Sequence, residues 1–145
     1  RLLEDEFIVG LIDGDGCFFV SFLANNKIKL GFHITGAFTE SLVRLFQLVK
    51  DRFGQCGVIQ KKHKGPRSRY CRFQVDSFSA IQKQSLRPFM DKYNLYTEKA
   101  NHYLKFKEVV YLVQSKAHLD AQGFSQIGGK RRKLSKEEYL KKYGR

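Results

Sequence analysis

The chain has 145 residues, with 27 Lys and Arg against 14 Asp and Glu (net charge +13), 42% hydrophobic residues and 14% aromatics. That apolar share excludes a disordered polyelectrolyte and is enough for one core, and no run approaches the roughly 18 apolar residues of a membrane span. A basic excess of this size in a folded chain indicates a polyanionic partner, most often nucleic acid, with a merely soluble basic protein as the alternative.

Leu3, Phe7, Ile8, Leu11 and Ile12 fall close to helical spacing and predict a first helix over 3–12, stopped by Gly14 and Gly16. From Cys17 the period changes to two. Phe18, Val20 and Phe22 alternate with Phe19, Ser21 and Leu23, and Asn25-Asn26 reads as a turn. In the strand that follows, Ile28, Leu30, Phe32 and Ile34 share one face; Lys27, Lys29, His33 and Thr35 share the other. Thr39 or Ser41 can cap a second helix reaching about Arg52, with Leu42, Leu45, Phe46, Leu48, Val49 and Phe53 inward and Gly54 closing it.

Residues 57–62 and 69–75 predict another strand pair around the polar HKGPRS loop. Cys71, Phe73 and Val75 alternate there with Tyr70, Arg72 and Gln74, while Val58, Gln60 and Lys62 share one parity. Helices follow over 78–93, which Pro88 kinks or splits, and over 98–114. After Ala117 the pattern is less regular, and GGKRRKLSKEEYLKKYGR reads as a hinge and a short basic helix. We therefore expect one domain over 1–127 and a basic C-terminal extension over 128–145.

Helices separated by hairpins imply an α+β layer fold, an αββαββα core with helices on one face of a four-stranded antiparallel sheet. The opposite face would carry Ser21, Lys27, Lys29, His33, Thr35, Gln60, Lys62, Arg69, Tyr70, Arg72 and Gln74. Singly, each could be an ordinary solvated residue. As a set of basic and amide side chains with almost no carboxylates, they suit a groove reader, since two-stranded ribbons enter the major groove. Cys17, Cys56 and Cys71 form no CxxC pair, and the four histidines have no zinc spacing with them, so reduced thiols in an intracellular compartment are expected. The chain starts at Arg1 rather than Met, so it is expected to be trimmed, with any targeting segment out of view.

The chemistry concentrates in FIVGLIDGDGCFFVSF, residues 7–22. Gly10 and Gly14, four apart, share one helix face and would let two helix backbones approach closely, or let the helix fit its own core. Asp13 and Asp15 sit at the negative end of the helix dipole, where a carboxylate is disfavoured unless a positive partner offsets it. A hard divalent cation would serve, and metal-assisted phosphodiester hydrolysis would follow. The two acids could equally form a turn that caps nearby backbone N–H groups.

Ile8-Val9-Gly10-Leu11-Ile12-Asp13-Gly14-Asp15-Gly16 resembles the motif that names the LAGLIDADG homing endonucleases. KIKLGFHIT is similar to that family's second strand, RPFMDKYNLYTEKANHYLKF to its segment around the third and fourth helices, and KAHLDAQGF to a late stretch, together spanning residues 5–127. The resemblance implies a saddle-shaped sheet and a site-specific double-strand DNA endonuclease cutting a long pseudo-palindromic site. It implies Mg²⁺, with Mn²⁺ as a substitute, held by Asp15 and the carbonyl of Gly14, and Lys99 as a basic residue at the scissile phosphate. It places Gly10, Gly14 and Asp13 at a homodimer interface, as in single-motif members, and implies an intron-encoded protein of a mitochondrion or chloroplast. A group I intron RNA-splicing maturase, or a cleavage-defective DNA binder of the same fold, is the alternative. A general RNA chaperone fits the charge but leaves Asp15 without a task. One departure is Gly36, which falls where the family usually has a polar side chain near the catalytic water.

Overall fold

In the computed structural model of the protein, residues 3–22, 27–63, 69–81 and 86–116 are described. Helix α1 (Asp5–Asp15) leads directly into strands β1 (Gly16–Phe22) and β2 (Ile28–Ala37). Helix α2 (Glu40–Arg52), strands β3 (Val58–His63) and β4 (Arg69–Val75), and helices α3 (Leu86–Lys92) and α4 (Lys99–Gln114) follow. The expected order of elements is therefore present. The Asn25-Asn26 turn, the loop over 64–68, the KAHLDAQGF stretch and the proposed extension over 128–145 lie outside the described residues.

The end of the first helix differs from the sequence-based expectation. Helix α1 continues through Gly14 to Asp15, and only Gly16 stops it. Gly16 is extended (φ −71°, ψ 149°), and its N–H donates to the Ile12 carbonyl. A Cβ there would lie 2.6 Å from that carbonyl oxygen, so the direct turn from helix into strand needs glycine. Of the helix predicted over 78–93, the described residues show a helical turn at 78–81 and α3, with 82–85 outside the described residues. Pro88 sits in the first turn of α3, where its missing N–H costs no helical hydrogen bond.

Thr39 caps α2 by accepting from the Leu42 N–H at 3.1 Å, and Gly54 (φ +66°) carries the chain away beyond it. Phe46, Val49 and Phe53 are buried as expected, but Leu48 is 39% exposed. It lies about 200° round the helix from Phe46, on the far side from the sheet.

The four strands form one antiparallel sheet in the order β1-β2-β4-β3. Each hairpin thus contributes its later strand to the centre, and β2 meets β4 with Phe32 opposite Val75 and Ile34 opposite Phe73. The period-two pattern places Val20, Leu30, Phe32, Ile34, Cys71, Phe73 and Val75 in the core beneath the helices. Phe18 joins β1 to α4, its ring 5.2 Å from Phe32, 5.3 Å from Tyr103 and 5.4 Å from Phe106. At the start of α1, Arg52 clasps the Asp5 carboxylate with Nε at 2.5 Å and a second guanidinium nitrogen at 2.8 Å. The Tyr93 hydroxyl donates to the same carboxylate at 2.6 Å, so α1, α2 and the end of α3 share one polar tie.

Candidate nucleic-acid face and active site

Because side chains alternate along strands, the sheet face opposite the core is assembled from one parity of each strand. Strand pairing aligns Ser21 with Lys29, Cys17 with His33, His33 with Gln74, Thr35 with Arg72, Gln60 with Arg72 and Lys62 with Tyr70. Ser21, Lys29, His33, Thr35, Gln60, Lys62, Tyr70, Arg72 and Gln74 therefore share the predicted face. Lys27 is exposed just before β2. Arg69, a candidate DNA contact, is placed differently from these. It has the parity of Cys71 and Phe73, so it stands at the exposed end of β4 on the helix-side parity.

The face is ordered by internal contacts. Arg72 Nε donates to Thr35 Oγ1 at 3.0 Å, and Thr35 Oγ1 lies 3.3 Å from His33 Nδ1. The Arg72 guanidinium also lies over the Tyr70 ring, 5.6 Å from its centroid. Lys29 pairs with Asp76 at 3.2 Å, and Gln74 donates to the same carboxylate at 3.1 Å. Asp76 thus brings one acid to the rim of the face, which composition alone did not reveal. Gln60 Oε1 is buried without a hydrogen-bond partner among the described residues, an acceptor left to a donor from outside the fold.

At the other end of β1 the two acids of the motif take different roles. The Asp13 carboxylate accepts from the Tyr96 N–H at 3.0 Å, the Thr97 N–H at 2.9 Å and the Thr97 hydroxyl at 2.7 Å. These bonds, those of Thr97 foremost, hold Asp13 below the ordinary carboxylate range. Asp13 was expected at a dimer interface, yet its oxygens are engaged within its own chain, fastening the end of α1 to the start of α4. Thr97 Oγ1 in turn accepts from the Lys99 N–H at 3.2 Å. Asp15 follows Asp13 by two residues and Lys99 follows Thr97 by two, so this fastening sets the end of α1, which carries Asp15, beside the start of α4, which carries Lys99.

Asp15 is exposed and makes no hydrogen bond or ion pair among the described residues. Lys99 is half-buried at the first position of α4, where the helix dipole disfavours a cation and the first turn holds no acid. Its charge reaches both Asp13 and His33. Burial first, then the charges of Arg72 and Lys99, push the His33 imidazole below its ordinary value and favour its neutral form. Lys99 is therefore placed between the motif helix and the polar sheet face.

The outward side of α1 carries Phe7, 51% exposed, together with Gly10 and Gly14. A Cβ on either glycine would meet nothing within 4 Å. Among the described residues neither glycine is required by packing, which speaks against the own-core explanation for their spacing. Gly36 has the core parity of β2, and a Cβ there would lie 2.5 Å from Leu42 Cδ2. A side chain at 36 would therefore start out toward α2 and Leu42.

Sequence reasoning passed over Phe19. It has the outer-face parity, opposite Gly31, and its ring centroid lies 5.7 Å from that of His33. The signal was available in the alternation, but an aromatic in a hydrophobic strand is read first as core.

A sheet with one apolar and one basic face, joined to a helix ending in acid and glycine, defines an α+β class with a carboxylate at the helix–sheet junction. A family model described as LAGLIDADG endonuclease matches residues 8–110, and the chain belongs to this family. "Probable intron-encoded endonuclease 3" of Neurospora crassa is 33% identical over 122 residues, 81% of this chain and 22% of that protein. The crystal structure of the I-SmaMI LAGLIDADG homing endonuclease bound to cleaved DNA has a TM-score of 0.81 and 29% identity, covering 96% of this chain and 47% of that one. The homing endonuclease I-TnaI has a TM-score of 0.81 at 23% identity over 98% of this chain and 96% of that one, a likeness of fold. The chain spans about a quarter of the length of the curated relatives it matches and about half of the I-SmaMI chain.

Proposed function

We propose that this chain is a site-specific DNA endonuclease that hydrolyses phosphodiester bonds as a pair of identical protomers. The observation that carries this reading is the fastening of Asp13 to Thr97, which sets the end of α1, bearing Asp15, beside the start of α4, bearing Lys99. The sheet binds duplex DNA through its ordered basic and amide side chains. Lys99 then stands ready to stabilise negative charge developing on a phosphoryl oxygen. The open glycine side of α1 pairs with a second copy, which brings two Asp15 carboxylates to a common axis. Such two-fold pairing calls for a nearly palindromic target.

The donor set fits Mg²⁺, or Mn²⁺ in its place. One unengaged carboxylate at Asp15 and the backbone carbonyl of Gly14, in the last turn of α1, are hard oxygen ligands. Among the described residues no cluster of three or more His, Cys, Asp or Glu could hold a metal. This suits an ion that takes few protein ligands and completes its shell with phosphate and water. Bound there, it would supply Lewis-acid stabilisation and a more acidic water. The intron-encoded relatives support an intron-encoded origin for this protein too, and a mitochondrial or chloroplast genome is our reading from the family resemblance.

The test is incubation with a duplex library and Mg²⁺, beside Asp15→Asn. Sequence-specific breaks that disappear in Asp15→Asn are expected. Binding without breaks in either protein would refute the nuclease and favour a DNA-binding or intron RNA-splicing role.

A further inference from the structure

The geometry points to a thymine-reading subsite on the sheet face, formed by the Phe19 ring and by His33 Nε2–H, with Thr35 and Arg72 as positioning residues. The inference rests on the reading of that face as a DNA reader.

Phe19 and Gly31 are opposite one another in the β1–β2 register. A Cβ on Gly31 would lie 2.0 Å from the Phe19 ring, so the ring lies flat over the glycine, held on the outer face beside His33. An apolar surface is thereby set within a basic, hydrogen-bonding sheet.

The orientation of the imidazole follows from its neighbours. Arg72 Nε can only donate, and it donates to Thr35 Oγ1. A hydroxyl polarised by a guanidinium is a stronger donor and a poorer acceptor, which directs its proton to His33 Nδ1, 3.3 Å away. In the neutral imidazole the remaining proton then lies on Nε2, so the ring presents a donor outward.

A donor beside an apolar ring matches one base edge in the major groove. Thymine alone offers an acceptor, O4, next to a methyl group at C5. Cytosine offers an amino donor at that place, and guanine offers acceptors with no methyl.

Duplexes are selected from a random library by the full chain without added divalent metal, and each thymine of the recovered site is then replaced by uracil, which removes only the methyl. At one thymine per half-site uracil is expected to weaken binding by about fourfold, the effect of one methyl group leaving apolar contact. Phe19→Ala should make thymine and uracil equivalent at that position, and Gly31→Ala, by displacing the ring, should act in the same way. Thr35→Val should relax the preference for thymine over cytosine there, since the imidazole can then carry its proton on Nδ1 and accept from the cytosine amino group. A recovered site in which no thymine responds to uracil overturns the subsite alone, without recourse to any variant. So does a response that Phe19→Ala leaves at full size. Failure to recover any sequence would overturn the reading of the face as a DNA reader, and the subsite with it.

Discussion

The Asp13 carboxylate accepts from the backbone N–H of Thr97 at 2.9 Å and from its hydroxyl at 2.7 Å, across 84 residues of sequence. The proposed function makes this a positioning contact for Asp15 and Lys99. Asp13→Ala and Thr97→Val should each lower the cleavage rate by about 10- to 100-fold, the scale of an ångström-sized misplacement. DNA affinity should stay within about twofold, because neither side chain lies on the sheet face. Single-turnover cleavage and equilibrium binding, measured together, check this; an unchanged rate would remove the positioning role.

The motif glycines should separate by function. Gly10→Leu adds its Cβ where no described atom lies within 4 Å. It should keep or slightly raise protomer stability, by roughly 0.7 kcal/mol of helix propensity, while abolishing the dimer. Gly16→Ala drives a Cβ into the Ile12 carbonyl and should cost about 1–3 kcal/mol. Sedimentation and thermal unfolding of both variants distinguish the two, and a Gly10→Leu dimer of unchanged affinity would sink the helix-pairing arrangement.

Acid stability should depend on Asp5. The hydrogen bonds from Arg52 chiefly, and that from the Tyr93 hydroxyl, hold its carboxyl below the ordinary value of 3.8 against the opposing effect of burial. The unfolded chain therefore binds the proton more readily than the folded one. The stabilisation is full above pH 3.8 and is lost as pH falls through the lower folded value. Asp5→Asn should cost about 1 kcal/mol at neutral pH, as befits a partly screened pair, and should flatten the pH dependence between about pH 5 and 3. Urea unfolding across that range is the measurement, and a parallel pH dependence in both proteins would contradict it.

Salt should report on the sheet face. Lys62 is exposed at the β3 edge and lies beside Tyr70 in the register. If it contacts phosphate, Lys62→Ala weakens binding uniformly across sequences and reduces the slope of log affinity against log salt by about 1. A slope equal to that of the unaltered chain would place Lys62 outside the phosphate contacts. His33→Gln, in contrast, should alter the preferred sequence while leaving the slope nearly unchanged, since a neutral side chain releases no counterions.

Much of this architecture was legible along the chain because its periods are clean. The alternation through Leu30, Phe32 and Ile34, and through Cys71, Phe73 and Val75, identified the buried face of both central strands. Boundaries were less legible where backbone geometry, rather than side-chain pattern, decides them. Gly14 and Gly16 look alike in sequence, yet only Gly16 faces a carbonyl that excludes a Cβ. The face of Gly36 is hidden for a related reason, since for a residue without a side chain it follows only from the register with Cys71.

The sequence by itself determined the two hairpins, the helices between them, the basic outer face and the acid–glycine junction, because each depends on local period or composition. Only the tertiary structure decided which acid is free and which is engaged. Asp13 and Asp15 are chemically alike and two residues apart, but successive helix positions differ by about 100°, so their side chains diverge by about 200°. One turns to meet Tyr96 and Thr97, and the other is left exposed. No local signal carries that distinction, since it depends on where a chain more than 80 residues away comes to rest.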